Sequence, residues 1–194
     1  MIILIIVVVF GFWYGSQLIL NTQYPALAVA SGSMCTLSGS DCNGWSHPFS
    51  PTLHIGDLIV VQGVDPKEIK AAHSDGDIIV FRKPDSDELI VHRAIANETR
   101  GGKIYFQTKG DGNLGPDSLY PNIPQDRVVG KVIMRIPWVG HIALFLHNSS
   151  GIFIIIVLII ILVIVEFVIP AFTGKEAKAE QKEDVEKTFE AKAL

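Results

Sequence analysis

Two stretches without a single charged side chain bracket this chain: residues 1–20 (MIILIIVVVFGFWYGSQLIL) and residues 151–165 (GIFIIIVLIIILVIV). A helix crossing about 30 Å of hydrocarbon needs about 20 mostly apolar residues. Residues 1–20 supply that number. A cleaved signal peptide would begin with a positive n-region and end at a small-residue cleavage site. No Lys or Arg precedes this run, so it reads as a retained anchor. The second span is expected over residues 151–172, with Glu166 near one end, where a carboxylate is tolerated better than at the bilayer centre. The chain is 48% hydrophobic and 19% charged, against about 25% charged for an ordinary soluble domain, and the apolar surplus sits at these two ends.

Residues 21–150 are ordinary protein, with 11 Lys and Arg against 13 Asp and Glu. That balance offers no basic field for nucleic acid. Residues 173–194 form a Lys/Glu/Ala-rich tail with opposite charges at i, i+3 or i+4, a solvated segment given no chemical role. Two spans put both termini on one side, the cytoplasm, and residues 21–150 outside, since a segment of that length translocates largely regardless of its charge. Cys35 and Cys42, the only cysteines, lie in a Gly/Ser-rich loop that suits a disulfide in an oxidising compartment. Asn97-Glu98-Thr99 and Asn148-Ser149-Ser150 match the glycosylation acceptor pattern.

Within the middle segment, apolar runs bounded by turn residues fall at 27–30, 58–62, 77–82, 89–95, 103–108 and 128–136, the pattern of a mostly β domain. Residues 83–88 and 100–102 read as hairpin connections. Residues 65–72 read as a short helix, with Asp65 as N-cap and Pro66 at its first position.

Three places could carry chemistry. Ser31-Gly32-Ser33-Met34 follows a strand-like ALAVA run, but a serine is a poor nucleophile without a base beside it. Of six histidines, only His92 lies inside an apolar strand, on the face of Ile90 and Ala94 and opposite Leu89, Val91, Arg93 and Ile95. Its imidazole suits general-base work near neutral pH, although a lone histidine on such a face often serves structure alone. Thr108-Lys109-Gly110-Asp111-Gly112-Asn113 then makes a Gly-rich acidic turn, with Asp117 behind it. A carboxylate against a histidine fixes its tautomer, whereas Asp111 and Asp117 in an ordinary turn would serve as Asx-turn and cap. Asp111, Asn113, Gly115 and Asp117 only faintly match a calcium loop, since the sixth position is not Gly and the twelfth, Asn122, is not Glu.

Together these pieces resemble type I signal peptidase in its archaeal and endoplasmic-reticulum branch, which uses Ser-His. The resemblance covers roughly residues 28–140. It rests on the Ser31–Met34 box, residues 51–61 (PTLHIGDLIVV), residues 75–81 (DGDIIVF), Val91-His92-Arg93, Lys109–Asn113 with Asp117, and residues 136–140 (IPWVG). It implies a signal-peptidase-like β catalytic domain flanked by transmembrane helices. Its implied residues are Ser33 as nucleophile, His92 as general base and Asp117 as the orienting carboxylate, with Asp111 supporting or replacing it. The Ser33 N–H, helped by Ser31, would form the oxyanion hole, and Met34 would contact substrate. Neither cofactor nor metal is implied. The implied activity is endoproteolysis of secretory preproteins after a small-x-small sequence through an acyl-enzyme, at the cell membrane, with the lipid bilayer and other membrane subunits as partners. One departure stands out: residues 35–50 are inserted where the family has a single residue, and a lid or a partner-docking loop are the expectations for them. The competing expectations are an inactive membrane-anchored β module that binds or assembles partners, and a related protease with a regulatory substrate.

Overall fold

In a computed structural model of the protein, residues 2–169 are described, and the chain divides into two compact units, Met1–Leu144 and Phe145–Leu194. The expected charged tail, 173–194, and the end of the second expected span lie outside the described residues.

The first unit opens with α1 (Ile2–Ile19), apolar around its whole circumference and largely exposed. Its strands are β1 (Ala26–Ala28), β2 (Leu58–Gln62), β3 (Ile78–Arg82), β4 (Leu89–Arg100), β5 (Lys103–Lys109), β6 (Ile123–Pro124) and β7 (Val128–Ile136). They form one antiparallel sheet in the order β1-β2-β7-β3-β4-β5-β6. β7, the last strand in sequence, is therefore the link between β1–β2 and β3–β6.

β3 is buried on both faces, which explains why it reads as a continuous apolar run. Period-two alternation sorts the side chains. Val29, Met34, Leu53, Ile59, Val61 and Val80 form one core cluster, and Ile69, Ile79, Phe81, Ala94, Phe106 and Ile123 form the other. β3 contributes to both, Val80 to the first and Ile79 and Phe81 to the second. Fully burying one such side chain is worth about 1.5–3 kcal/mol.

The β4–β5 hairpin closes through two residues, Gly101 and Gly102, with Arg100 paired to Lys103. Both glycines have positive φ, 56° and 79°, as a tight turn matching the strand twist requires.

The expected helix over 65–72 contracts to a single 3-10 turn, Pro66–Glu68, with the Asp65 side chain accepting from the Lys67 N–H as foreseen. The reason lies in tertiary competition for backbone groups. The Lys70 N–H donates to the Asp77 carboxylate, the Asp77 N–H donates to the Lys70 carbonyl, and the Ala72 N–H donates to the Ala94 carbonyl. Those partners leave nothing for a second helical turn.

α2 (Val139–His147) follows β7. In the second unit, α3 (Ser149–Val163) continues through a π-helical turn, Ile164–Val168. Ser149–Phe167 is long and apolar enough to cross a membrane, whereas the apolar Leu4–Ile19 stretch of α1 is shorter.

Candidate active site

The site gathers where three segments meet: the loop after β1, the first half of β4, and the loop after β5. His92 is the fourth residue of β4, paired with Ile79 of β3, and its ring meets Phe81 edge-on at 6.5 Å. His92 is 8% exposed and turns its Nε2 edge toward the loop after β1.

Along that edge the His92 Nε2 lies 3.1 Å from Ser33 Oγ, and on the opposite edge Nδ1 lies 2.6 Å from Asp117 Oδ2. Hydroxyl, imidazole and carboxylate thus stand in series. The same Asp117 oxygen accepts a 2.6 Å hydrogen bond from the hydroxyl of Thr108, which is fully buried in β5. The Asp117 N–H in turn donates to the Thr108 carbonyl at 2.9 Å. Thr108 therefore holds Asp117 at both its backbone and its carboxylate.

Asp111 goes elsewhere. Its two oxygens accept from Arg93 Nε and an Arg93 NH2 at 2.8 and 2.5 Å, a bidentate pair, while Arg93 also donates to the Gly76 carbonyl at 2.6 Å. The hydrogen bond to Asp111 raises the Arg93 guanidinium above its already high ordinary value, against the opposing effect of burial. Of the two acidic candidates, Asp117 meets His92, and Asp111 fastens the acidic loop to the strand that carries His92.

Two glycines allow the acidic loop to wrap the serine loop. A side-chain carbon at Gly110 would lie 2.5 Å from the Ser33 carbonyl oxygen and 3.0 Å from His92 Nε2. One at Gly112 would lie 2.2 Å from the Cys35 carbonyl oxygen, and the Gly112 N–H donates to the Ser33 carbonyl at 2.9 Å. Any other residue at either position would force the two loops apart.

Ser31 Oγ lies 3.3 Å from Ser33 Oγ, close enough to face the same reacting group. Met34 is 1% exposed and belongs to the first core cluster. It lines a groove together with Ala28, Val29 and Ala30 and with Leu89–His92 of β4. β1 is the terminal strand of the sheet among the described residues.

The insertion, residues 35–50, contains a 3-10 turn, Gly39–Asn43, and Cys35 is bonded to Cys42. It is pinned rather than loose. The Ile55 N–H donates to the Cys42 carbonyl at 3.0 Å, and Arg135 donates to the Pro48 carbonyl at 2.8 Å.

Sequence reasoning placed Thr108, Gly110 and Gly112 in the acidic turn and Arg93 beside the base, but gave none of the four a role. The antiparallel register carried a signal for two of them, since it sets Arg93 opposite Lys109 and Ala94 opposite Thr108. That places Arg93 two residues from Asp111 across the hairpin, but the register could not be known before the fold.

A nucleophile-capable hydroxyl, a base and an orienting carboxylate on an antiparallel sheet form the arrangement that acyl-transfer chemistry needs. No family model matches the chain. Among curated proteins, it is 28% identical over 148 residues to the signal peptidase complex catalytic subunit sec11 of Neurospora crassa, covering 74% of this chain and 76% of that one. It is 30% identical over 142 residues to the signal peptidase complex catalytic subunit SEC11C of Homo sapiens, covering 70% of this chain and 64% of the relative. These likenesses support placing the chain in the type I signal peptidase family, in its archaeal and endoplasmic-reticulum branch.

Proposed function

We propose that the protein is a membrane-held serine endopeptidase that removes signal peptides from secretory preproteins, with Ser33 as nucleophile, His92 as general base and Asp117 as the carboxylate that orients it. The observation that carries this reading is the series Ser33 Oγ, His92 Nε2, His92 Nδ1, Asp117 Oδ2, at 3.1 and 2.6 Å.

Each step follows from that series. Asp117 accepts from the His92 Nδ1–H and so keeps the Nε2 lone pair directed at the serine hydroxyl. As Ser33 Oγ attacks the scissile carbonyl carbon, Nε2 takes its proton, and Asp117 stabilises the imidazolium formed. The carbonyl oxygen becomes an oxyanion, received by the Ser33 N–H and the Ser31 hydroxyl. His92 returns the proton to the departing amine, leaving the acyl group on Ser33. A water, deprotonated by His92, then hydrolyses that ester.

The groove lined by residues 28–30 and β4 suits an extended peptide beside β1, the terminal strand, and a small-x-small sequence would occupy it. α1 and α3 serve in this reading as the two spans, with both termini cytoplasmic and residues 21–150 outside. At about 1.5 Å per residue, α1 and the continuous run Ser149–Phe167 each come close to the thickness of the hydrocarbon core. The names of its relatives support a further expectation, that the chain works beside other subunits of a complex. Thr108 and Arg93–Asp111 act as positioning groups.

The test is to reconstitute the purified chain with one model preprotein and sequence the new N-terminus. A single cut at the signal boundary is expected, lost in Ser33→Ala. No cut, or a cut elsewhere, overturns the proposal.

A further inference from the structure

The insertion presents two large aromatic side chains to solvent: Trp45 is 63% and Phe49 81% exposed. Single exposed apolar residues are commonplace, but these two are held in place. The Trp45 ring stacks on His141 with centroids 4.2 Å apart and planes 15° from parallel, and Phe49 meets Trp138 edge-on at 6.0 Å. Trp138 is itself 42% exposed and its neighbour Val139 41%. The disulfide and the Arg135–Pro48 hydrogen bond fix the frame behind them.

The surroundings narrow what such a patch meets. Residues 35–50 contain no Lys or Arg and a single carboxylate, Asp41, and residues 136–149 contain no charged side chain at all. Trp138 precedes Ser149, the first residue of the helix apolar enough to cross a membrane, by eleven residues. Tryptophan and other amphipathic rings collect where water meets lipid, and a patch without cations has no need of anionic headgroups.

We infer that Trp45, Phe49, Trp138 and Val139 form a lipid-facing platform that seats the domain in the interfacial layer of the bilayer. The insertion, on this view, is a docking loop for the membrane surface and not a moving lid. The platform sets the depth at which Ser33 works, so it governs access to membrane-tethered substrates without touching the reacting atoms. This inference rests on the reading of the chain as membrane-held, and the following experiment separates the two.

The full chain has three tryptophans, Trp13, Trp45 and Trp138. Trp13→Phe with Trp138→Phe leaves Trp45 alone, and Trp45→Phe with Trp138→Phe leaves Trp13 within α1. Each variant is reconstituted in phosphatidylcholine vesicles whose acyl chains carry bromine either near the headgroup or near the chain end. Trp45 emission is expected to be quenched more by the shallow bromines, and equally when phosphatidylglycerol is added. If Trp13 is quenched while Trp45 is not and remains open to aqueous acrylamide, the platform is overturned and the membrane reading stands. If Trp13 also escapes quenching, the membrane reading falls with it. If Trp45 is shielded from both bromine and acrylamide, a protein occupies the patch and the inference is overturned. Trp45→Ser combined with Phe49→Ser should slow cleavage of a preprotein in the same vesicles several-fold while leaving cleavage of a short soluble peptide unchanged; equal rates on the preprotein would sink the functional part.

Discussion

Two of the histidine–aspartate pairs among the described residues are largely buried, and they have opposite fates. His92 and Asp117, whose side chains are 10% and 12% exposed, meet at 2.6 Å beside a serine hydroxyl and a groove. His54 and Asp57 are both fully buried, with His54 Nδ1 3.6 Å from Asp57 Oδ2. Their neighbour is Arg135, which donates to Asp57 Oδ2 at 3.3 Å and also to the carbonyls of Thr52 and Pro48. Asp57 also accepts from the His54 N–H at 2.8 Å, closing the turn before β2. The same two residue types thus build the proposed relay in one place and a structural knot in the other. Access and an adjacent hydroxyl make the difference, and proximity of imidazole to carboxylate does not.

The sharpest way to break this comparison is to remove the groups unique to the first pair. On the proposed mechanism Ser33→Ala and His92→Ala should each lower kcat by about 10⁴-fold or more, the scale seen when a serine hydrolase loses its nucleophile or base, with the thermal midpoint close to that of the parent chain; a preprotein-cleavage assay and a melting curve read both. Asp117→Asn should cost up to about 10⁴-fold by favouring the wrong tautomer, whereas Asp111→Asn should cost far less in kcat, and equal losses would erase the distinction drawn between them. In the second pair, Asp57→Ala leaves the Arg135 charge without its buried carboxylate and should cost about 3–5 kcal/mol of stability. Denaturant unfolding checks this, and kcat per folded molecule should hold. The smallest effect is expected at Thr108→Val, which removes one hydrogen bond of about 1.5–3 kcal/mol to the Asp117 carboxylate. The kcat should fall about tenfold and return in Thr108→Ser.

Much of the sheet was legible because its physics is local. The 58–62 and 128–136 runs became β2 and β7 with the expected bounds, and Leu89/Val91 and Ile90/Ala94 face opposite clusters as period two demands. β6 was invisible, since two residues, Ile123 and Pro124, carry no periodic signal. β4 runs five residues beyond its apolar stretch, through the polar Ala96–Arg100 end that pairing with β5 keeps extended. The site was harder. Ser33 and His92 are 59 residues apart in sequence, and His92 and Asp117 a further 25, so no local pattern joins them, and only resemblance did. The sealed knot left still less trace, because an arginine at 135 in a strand reads as a solvated side chain until the fold places Asp57 against it.

The position of β7 between β2 and β3 bears on when this chain becomes active. Translation makes the serine first, at about 5–20 residues per second, so seconds pass before the imidazole exists. The β4–β5 hairpin can then close on its own within microseconds, setting Thr108 opposite Ala94, two residues beyond His92. The serine half still has no partner strand to join, because its place beside β3 is taken by the last strand synthesised. On the proposed reading, a growing chain carries the hydroxyl and the base apart. The keystone strand joins the two halves of the sheet only when the domain is complete, so order of manufacture would act as a safety catch.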